Sequence, residues 1–242
     1  METNTNPENK KAAVGAMFDS IAGRYDFLNH FLSLGIDRTW RNKAIEIISR
    51  SSGHSRILDV ATGTGDLAIA AMKLNPEKVT GIDISPGMLV IGCEKLRKKG
   101  LAGRIELFEG DSENIDFPDS SFDVAMVAFG VRNFSNPVKG LAEMNRVLFP
   151  GGMIMVLEFS KPTTFPFKQI FNFYFLRILP LFGQLVSKNR DAYQYLPETV
   201  MKFPDNEEFI KLLSLAGFTR INQKRLSFGI ASIYTGFKSD VQ

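Results

Sequence analysis

The sequence predicts an α/β fold: one domain built on a doubly wound, mostly parallel, seven-stranded sheet. Three observations carry that prediction. From Arg56 onward, short apolar runs alternate with helical patterns, as in repeated βα units that lay down parallel strands. The first run, Ile57-Leu58-Asp59-Val60, breaks into Gly63-Thr64-Gly65 and passes at once into a helical pattern through Leu67, Ala70, Ala71 and Leu74. Successive runs also end in acid, at Asp59, Asp83 and Glu109-Gly110-Asp111. Sheets of this kind bind ligands at the carboxyl ends of their strands.

Taken in order, residues 1–10 are polar and predict a disordered arm. Val14, Met17, Phe18 and Ile21 recur at helical spacing, Gly23 marks a break, and Tyr25 to Leu32 forms a second short helical piece. Asp37 is a plausible cap for a third helix through Trp40, Ala44, Ile47 and Ile48. Strands are expected near 56–60, 78–83, 104–109, 122–128 and 152–159, with helices over 65–74, 86–98 and 137–148. Asp205 or Asn206 caps a last helix that ends at Gly217, and the runs 218–225 and 230–237 flank Phe228-Gly229 as a closing hairpin.

Residues 165–186 depart from the pattern, with six phenylalanines among Ile170, Leu176, Ile178, Leu179 and Leu181. Lys168, Asn172, Arg177 and Pro180 interrupt it, so it is not a membrane span. Residues 161–190 hold five cations and no acid, leaving a net charge of −2 for the remainder of a +3 chain. An apolar helix flanked by cations reads first as a membrane-interfacial surface, with burial or a homodimer contact as alternatives.

The composition bounds the function. A pI near 8.9 is too mild to imply a nucleic-acid partner. The lone Cys93 rules out an internal disulfide, and the polar start lacks a secretory h-region, so a cytoplasmic location is expected. His30 and His54 stand far apart without cysteine partners, which argues against a metal site. There is no Gly-x-Ser-x-Gly elbow or P-loop.

Strand, glycine turn and helix together make a nucleotide-type loop, in which a ligand approaches bare backbone and a helix N-terminus. Gly63-x-Gly65-x-x-Ala68 suits a dinucleotide or S-adenosylmethionine, and Asp83, twenty residues after Gly63, is placed for ribose hydroxyls. Charge favours the second ligand. Asp59 and Asp66 flank the glycines, with no Lys or Arg between Ile57 and Met72. Two like charges about 4 Å apart repel by roughly 4 kcal/mol at an effective dielectric of ~20, which disfavours a pyrophosphate and suits an ammonium.

Taken together, several segments resemble the class I S-adenosylmethionine-dependent methyltransferases, and most closely the ubiquinone/menaquinone biosynthesis C-methyltransferases. They are Tyr25-Asp26-Phe27-Leu28-Asn29 with Ser33 and Trp40, Leu58 to Asp66, Asp83-Ile84-Ser85, Phe129-Gly130-Val131-Arg132-Asn133, Pro150-Gly151-Gly152 and Tyr193-x-Tyr195-Leu196. Asp37 stands where that family often has His, and Phe149 where it usually has Lys. The resemblance implies a Rossmann-like methyltransferase fold and methyl transfer to a ring carbon of a prenylated quinol. Demethylmenaquinol is the favoured acceptor, ahead of a ubiquinone-precursor benzoquinol or another lipophilic acceptor. It further implies Gly63, Thr64 and Gly65 against the methionine part of S-adenosylmethionine, Asp59 near its ammonium, Asp83 on the ribose, and Asp111 with Ser112 at the adenine. Arg132, Asn133 and Tyr25 are the implied catalytic residues at the quinol. The 161–190 segment is then a cover for the acceptor site that meets the inner face of a membrane.

Overall fold

In a computed structural model, residues 7–33, 35–51, 53–178 and 190–240 are described. Seven strands form one sheet in the order β3-β2-β1-β4-β5-β7-β6. They are β1 (Arg56–Val60), β2 (Lys78–Asp83), β3 (Ile105–Glu109), β4 (Phe122–Ala128), β5 (Leu148–Phe159), β6 (Phe218–Leu226) and β7 (Ala231–Lys238). The first five are mutually parallel, while β7 runs antiparallel to both β5 and β6. The predicted strands all appear, and β5 begins earlier than expected because Leu148 already pairs with Phe122.

Helices cover both faces: α1 (Pro7–Leu32), α2 (Ile36–Ile48), α3 (Asp66–Ala71), α4 (Pro86–Lys98), α5 (Pro137–Val147), α6 (Phe167–Phe173), α7 (Arg190–Lys202) and α8 (Glu207–Leu215). The alternation along β1 shows why a parallel sheet needs two covers. Ile57 packs in a core with Trp40, Ala44, Ile48 and Leu67, whereas Leu58 and Val60 face Leu141, Met144, Phe209 and Tyr234. Each such fully buried aliphatic side chain stabilises the fold by roughly 1.5–3 kcal/mol. A third, smaller core joins Phe171 and Phe175 to Val200 of α7.

The N-terminal reading needs correction. One helix, α1, replaces the arm-to-residue-10 boundary and the two short pieces; it starts at Pro7 and passes through Gly23 unbroken. Nothing crowds the Gly23 position, so this glycine costs only its helix propensity of about 1 kcal/mol. Tertiary contact outweighs that: α1 lies close to the start of α4, with the Ile84 carbonyl 3.5 Å from where a Cβ on Gly15 would sit. Asp37 is not a cap either. Gly35, at φ 75°, occupies that position, and Asp37 lies in the first turn, accepting from Arg41 at 2.6 Å and Ser33 at 2.7 Å. Asn206 takes the N-cap position of α8 without a side-chain cap bond. Phe228-Gly229 does join the last two strands, through a short 3₁₀ turn. Within 165–186, α6 continues as a π turn over Tyr174–Ile178, and 179–186 lie outside the described residues. No helix among the described residues is long and apolar enough to cross a membrane.

Candidate active site

Strand order reverses between β1 and β4, and the loops leaving those strands diverge there to open a crevice. It holds a cavity whose walls come from the ends of β1, β2, β3 and β4, with α1 as a roof. Gly63, Asp83, Gly110, Asp111, Ser112 and Asn133 line it, as do Tyr25 and Phe18 of the roof.

The glycine loop is built by local geometry. Gly63 and Gly65 sit at φ 56° and 80°, where a side chain would be strained. The Gly63 N–H donates to Asp83 Oδ2 at 2.7 Å, and the Ser85 N–H to Oδ1 at 2.9 Å. Asp83 is thus clamped by backbone at the tip of β2 while still facing the cavity. Burial raises its pKa, against the lowering effect of the Ser85, Gly63 and Ile84 N–H groups.

Asp111 and Ser112 line the wall as the sequence suggests, but Asp111 already has a partner. Lys11 Nζ lies 2.7 Å from Asp111 and 3.0 Å from Glu113. Burial pulls the Lys11 pKa down, and the bonds to these two carboxylates outweigh it, holding the ammonium above its ordinary value. Lys10, one residue earlier, donates to the Phe134 carbonyl at 2.9 Å. Near the middle of α1, Asp19 accepts from the Ser85 hydroxyl and the Gly87 N–H. The roof is therefore fastened by charges at points along its length.

Other expected residues fall behind the wall. Asp59 is buried, accepts from the Thr62 hydroxyl at 2.6 Å, and leaves Oδ1 without a partner. Burial is the largest cause pushing its pKa up to about 7. Thr64 is buried too, its hydroxyl donating to Asp26 and accepting from Lys95 at 2.9 Å. Gly65 serves as the N-cap position of α3, outside the cavity lining. Asp66, half of the charge reading from sequence, is tied to Lys95 at 2.8 Å and Arg41 at 3.2 Å. The loop is not cation-free in space. Even so, the charged residues lining the cavity are Asp83, Asp111, Glu113 and Lys11, an excess of carboxylates that still suits a cationic ligand.

Arg132 also departs from its expected place. Its guanidinium lies behind the wall, 2.7 Å from Glu158, with side chains 6% and 0% exposed. It also donates to the Phe129 carbonyl and sits over the Phe159 ring. Asn133, next in the chain, does reach the cavity, and its Oδ1 accepts from the Tyr195 hydroxyl at 3.1 Å. Tyr25 packs edge-on against Phe18 and passes 3.9 Å from where a Cβ on Gly63 would stand.

Lys11, Phe18, Glu113 and Tyr195 are contributors that sequence reasoning missed. Phe18 reads only as part of an apolar helical pattern and Tyr195 only as part of the resemblance, and no spacing rule reports that Lys11 meets residues a hundred positions away. Among the described residues no cluster of His, Cys, Asp and Glu is suited to hold a metal ion.

Comparison with known proteins is consistent with this architecture. Residues 5–238 match the profile of the ubiE/COQ5 methyltransferase family. The chain is 46% identical over 235 residues to the demethylmenaquinone methyltransferase of Bacteroides fragilis, covering 97% of this chain and 96% of that one. It is 48% identical over 224 residues to the ubiquinone/menaquinone biosynthesis C-methyltransferase UbiE of Geobacter sulfurreducens, covering 92% and 87%. The structure of a SAM-dependent methyltransferase from Thermotoga maritima, described as a possible histamine N-methyltransferase, superimposes with a TM-score of 0.65. At 20% identity over 93% of this chain and 99% of that one, it shows a shared fold.

Proposed function

Because this chain belongs to the ubiE/COQ5 methyltransferase family, we propose that its crevice brings S-adenosylmethionine and a prenylated quinol together, with demethylmenaquinol as the acceptor. The protein is an S-adenosylmethionine-dependent C-methyltransferase of quinone biosynthesis. One observation carries the site assignment: a glycine-floored cavity whose wall presents Asp83, Asp111 and Glu113 against the single ammonium of Lys11.

The residues fit the cofactor. Asp83, clamped by two N–H groups, keeps lone pairs for ribose hydroxyls. Asp111 and Ser112 stand where an adenine amino group finds acceptors, and Gly63 admits the methionine part against bare backbone. Asp59 acts from behind, holding the loop through Thr62. When bound, S-adenosylmethionine supplies an electrophilic methyl group.

The protein's task at the quinol is to orient the ring and stabilise the oxyanion left when a hydroxyl loses its proton, which makes the adjacent ring carbon nucleophilic. Asn133 is set for this: Tyr195 holds its Oδ1, leaving the amide N–H groups for the quinol oxygen. Tyr25 and Phe18 offer ring faces from the roof. Arg132 is a positioning residue in this reading, fixing the Phe129–Asn133 loop through Glu158 and the Phe129 carbonyl.

The test is methyl transfer from labelled S-adenosylmethionine to demethylmenaquinol beside a demethylated benzoquinol. Label is expected on the naphthoquinol ring carbon. Label on the benzoquinol alone overturns the acceptor, and label on neither overturns the quinol reading.

A further inference from the structure

We propose that α6, its π-turn extension and the Ser227–Gly229 turn form a docking face for an anionic lipid bilayer; this rests on the quinol reading, since a tailed acceptor is what the bilayer would deliver. Nine large hydrophobic side chains are exposed among the described residues, and five belong to this face: Phe165, Ile170, Phe173, Leu176 and Phe228. The others are scattered on separate elements, as is ordinary for a soluble surface.

The helix is apolar on both sides. Phe171 and Phe175 point inward to the core shared with Val200. Ile170, Phe173 and Leu176, three residues apart, point outward, and Phe173 remains 61% exposed. A solvated helix would carry polar residues there. Phe167 stacks on Phe228 at 3.8 Å, joining the turn to the helix. Phe228 is held at φ 57°, an unusual backbone for a bulky aromatic, and is nonetheless 70% exposed.

Charge selects the occupant. From Ser160 to Ile178 there are three cations, Lys161, Lys168 and Arg177, and no carboxylate. Lys161 turns inward to Asp205 and to the Met201 and Phe203 carbonyls. Lys168 and Arg177 stay with the face and have no carboxylate partner among the described residues. A second copy on a two-fold axis would set these cations against their own images, whereas anionic headgroups complement them. An aromatic path connects the face to the site: Phe171 to Phe175 at 4.2 Å, Phe175 to Phe159 at 5.7 Å, and Phe159 to Phe129 at 4.8 Å. Phe129 lines the cavity.

The experiment is sedimentation of the full chain with vesicles of phosphatidylcholine containing phosphatidylglycerol, against pure phosphatidylcholine, for wild type and for the triple variant Ile170→Gln, Phe173→Gln, Leu176→Gln. Wild type should partition to the anionic vesicles reversibly, and the variant about tenfold or more weakly. The variant should methylate a vesicle-embedded long-tailed quinol correspondingly more slowly, yet keep wild-type affinity for S-adenosylmethionine and wild-type turnover on a short-tailed quinol in buffer. Those two readouts also report whether it folds. Wild type remaining in the supernatant, equal binding by the variant, or a dimer that the variant alone dissolves would each overturn the proposal. If no quinol is methylated while vesicle binding still depends on the three residues, the quinol reading has failed and the docking face stands.

Discussion

Asp83 ends β2 and Arg132 follows β4, the two strands that flank β1, and the sequence offers both as ligand-facing groups, but they are held in opposite ways. Asp83 is gripped by main-chain N–H groups, which fix its carboxylate while it still lines the cavity. Arg132 is gripped by another charge, Glu158, in a buried pair that turns the guanidinium away from the ligand. A charge held by backbone remains usable by a ligand. One neutralised by a buried counter-charge serves the scaffold, because separating the pair strands an ion in a low dielectric.

The largest effect should come from breaking that second arrangement. Glu158→Ala leaves the Arg132 charge uncompensated and should cost about 3–5 kcal/mol of stability, read from denaturant unfolding. A loss below about 1 kcal/mol would mean the guanidinium reaches solvent or ligand after all. Asp83→Ala tests the first arrangement. It removes charge-assisted hydrogen bonds worth about 1.5–3 kcal/mol each, so S-adenosylmethionine affinity by calorimetry should fall by roughly ten- to a hundredfold. Unchanged affinity would move the ribose elsewhere.

Asp59 sharpens the comparison through pH. Its folded pKa of about 7 lies above the ordinary 3.8, burial being the main cause. Between those values the folded protein keeps a proton that the unfolded chain has released. This residue's contribution therefore rises as pH falls through about 7, is complete below about 3.8, and is lost again as pH rises. Asp59→Asn should accordingly gain stability relative to wild type between pH 5 and pH 8, by an amount on the order of 2 kcal/mol in paired denaturant melts. A constant difference across that range would show that Asp59 titrates normally.

Lys11→Met should give the smallest change. The ion pairs it makes with Asp111 and Glu113 are partly solvated, so stability should fall by about 1 kcal/mol or less. Cofactor exchange by stopped flow should instead quicken, and high salt should quicken wild type more than the variant. Equal salt dependence in both would show that the roof is not fastened there.

The sequence by itself determined the strands, the glycine loop and the acids at the strand ends. Apolar periodicity and turn chemistry act between residues a few positions apart, so Ile57 to Asp66 could be read in place. The single α1 helix escaped that reading because its packing on α4 overrode the local preference of Gly23. Only the tertiary structure decided what each charge does. It set Lys11 on Asp111 and Glu113, Lys95 and Arg41 on Asp66, and Arg132 on Glu158. Coulomb and hydrogen-bond forces act through space with no fixed separation along the chain. Which carboxylate faces a ligand, and which is used up in the fold, is therefore settled only once the helices have closed on the sheet.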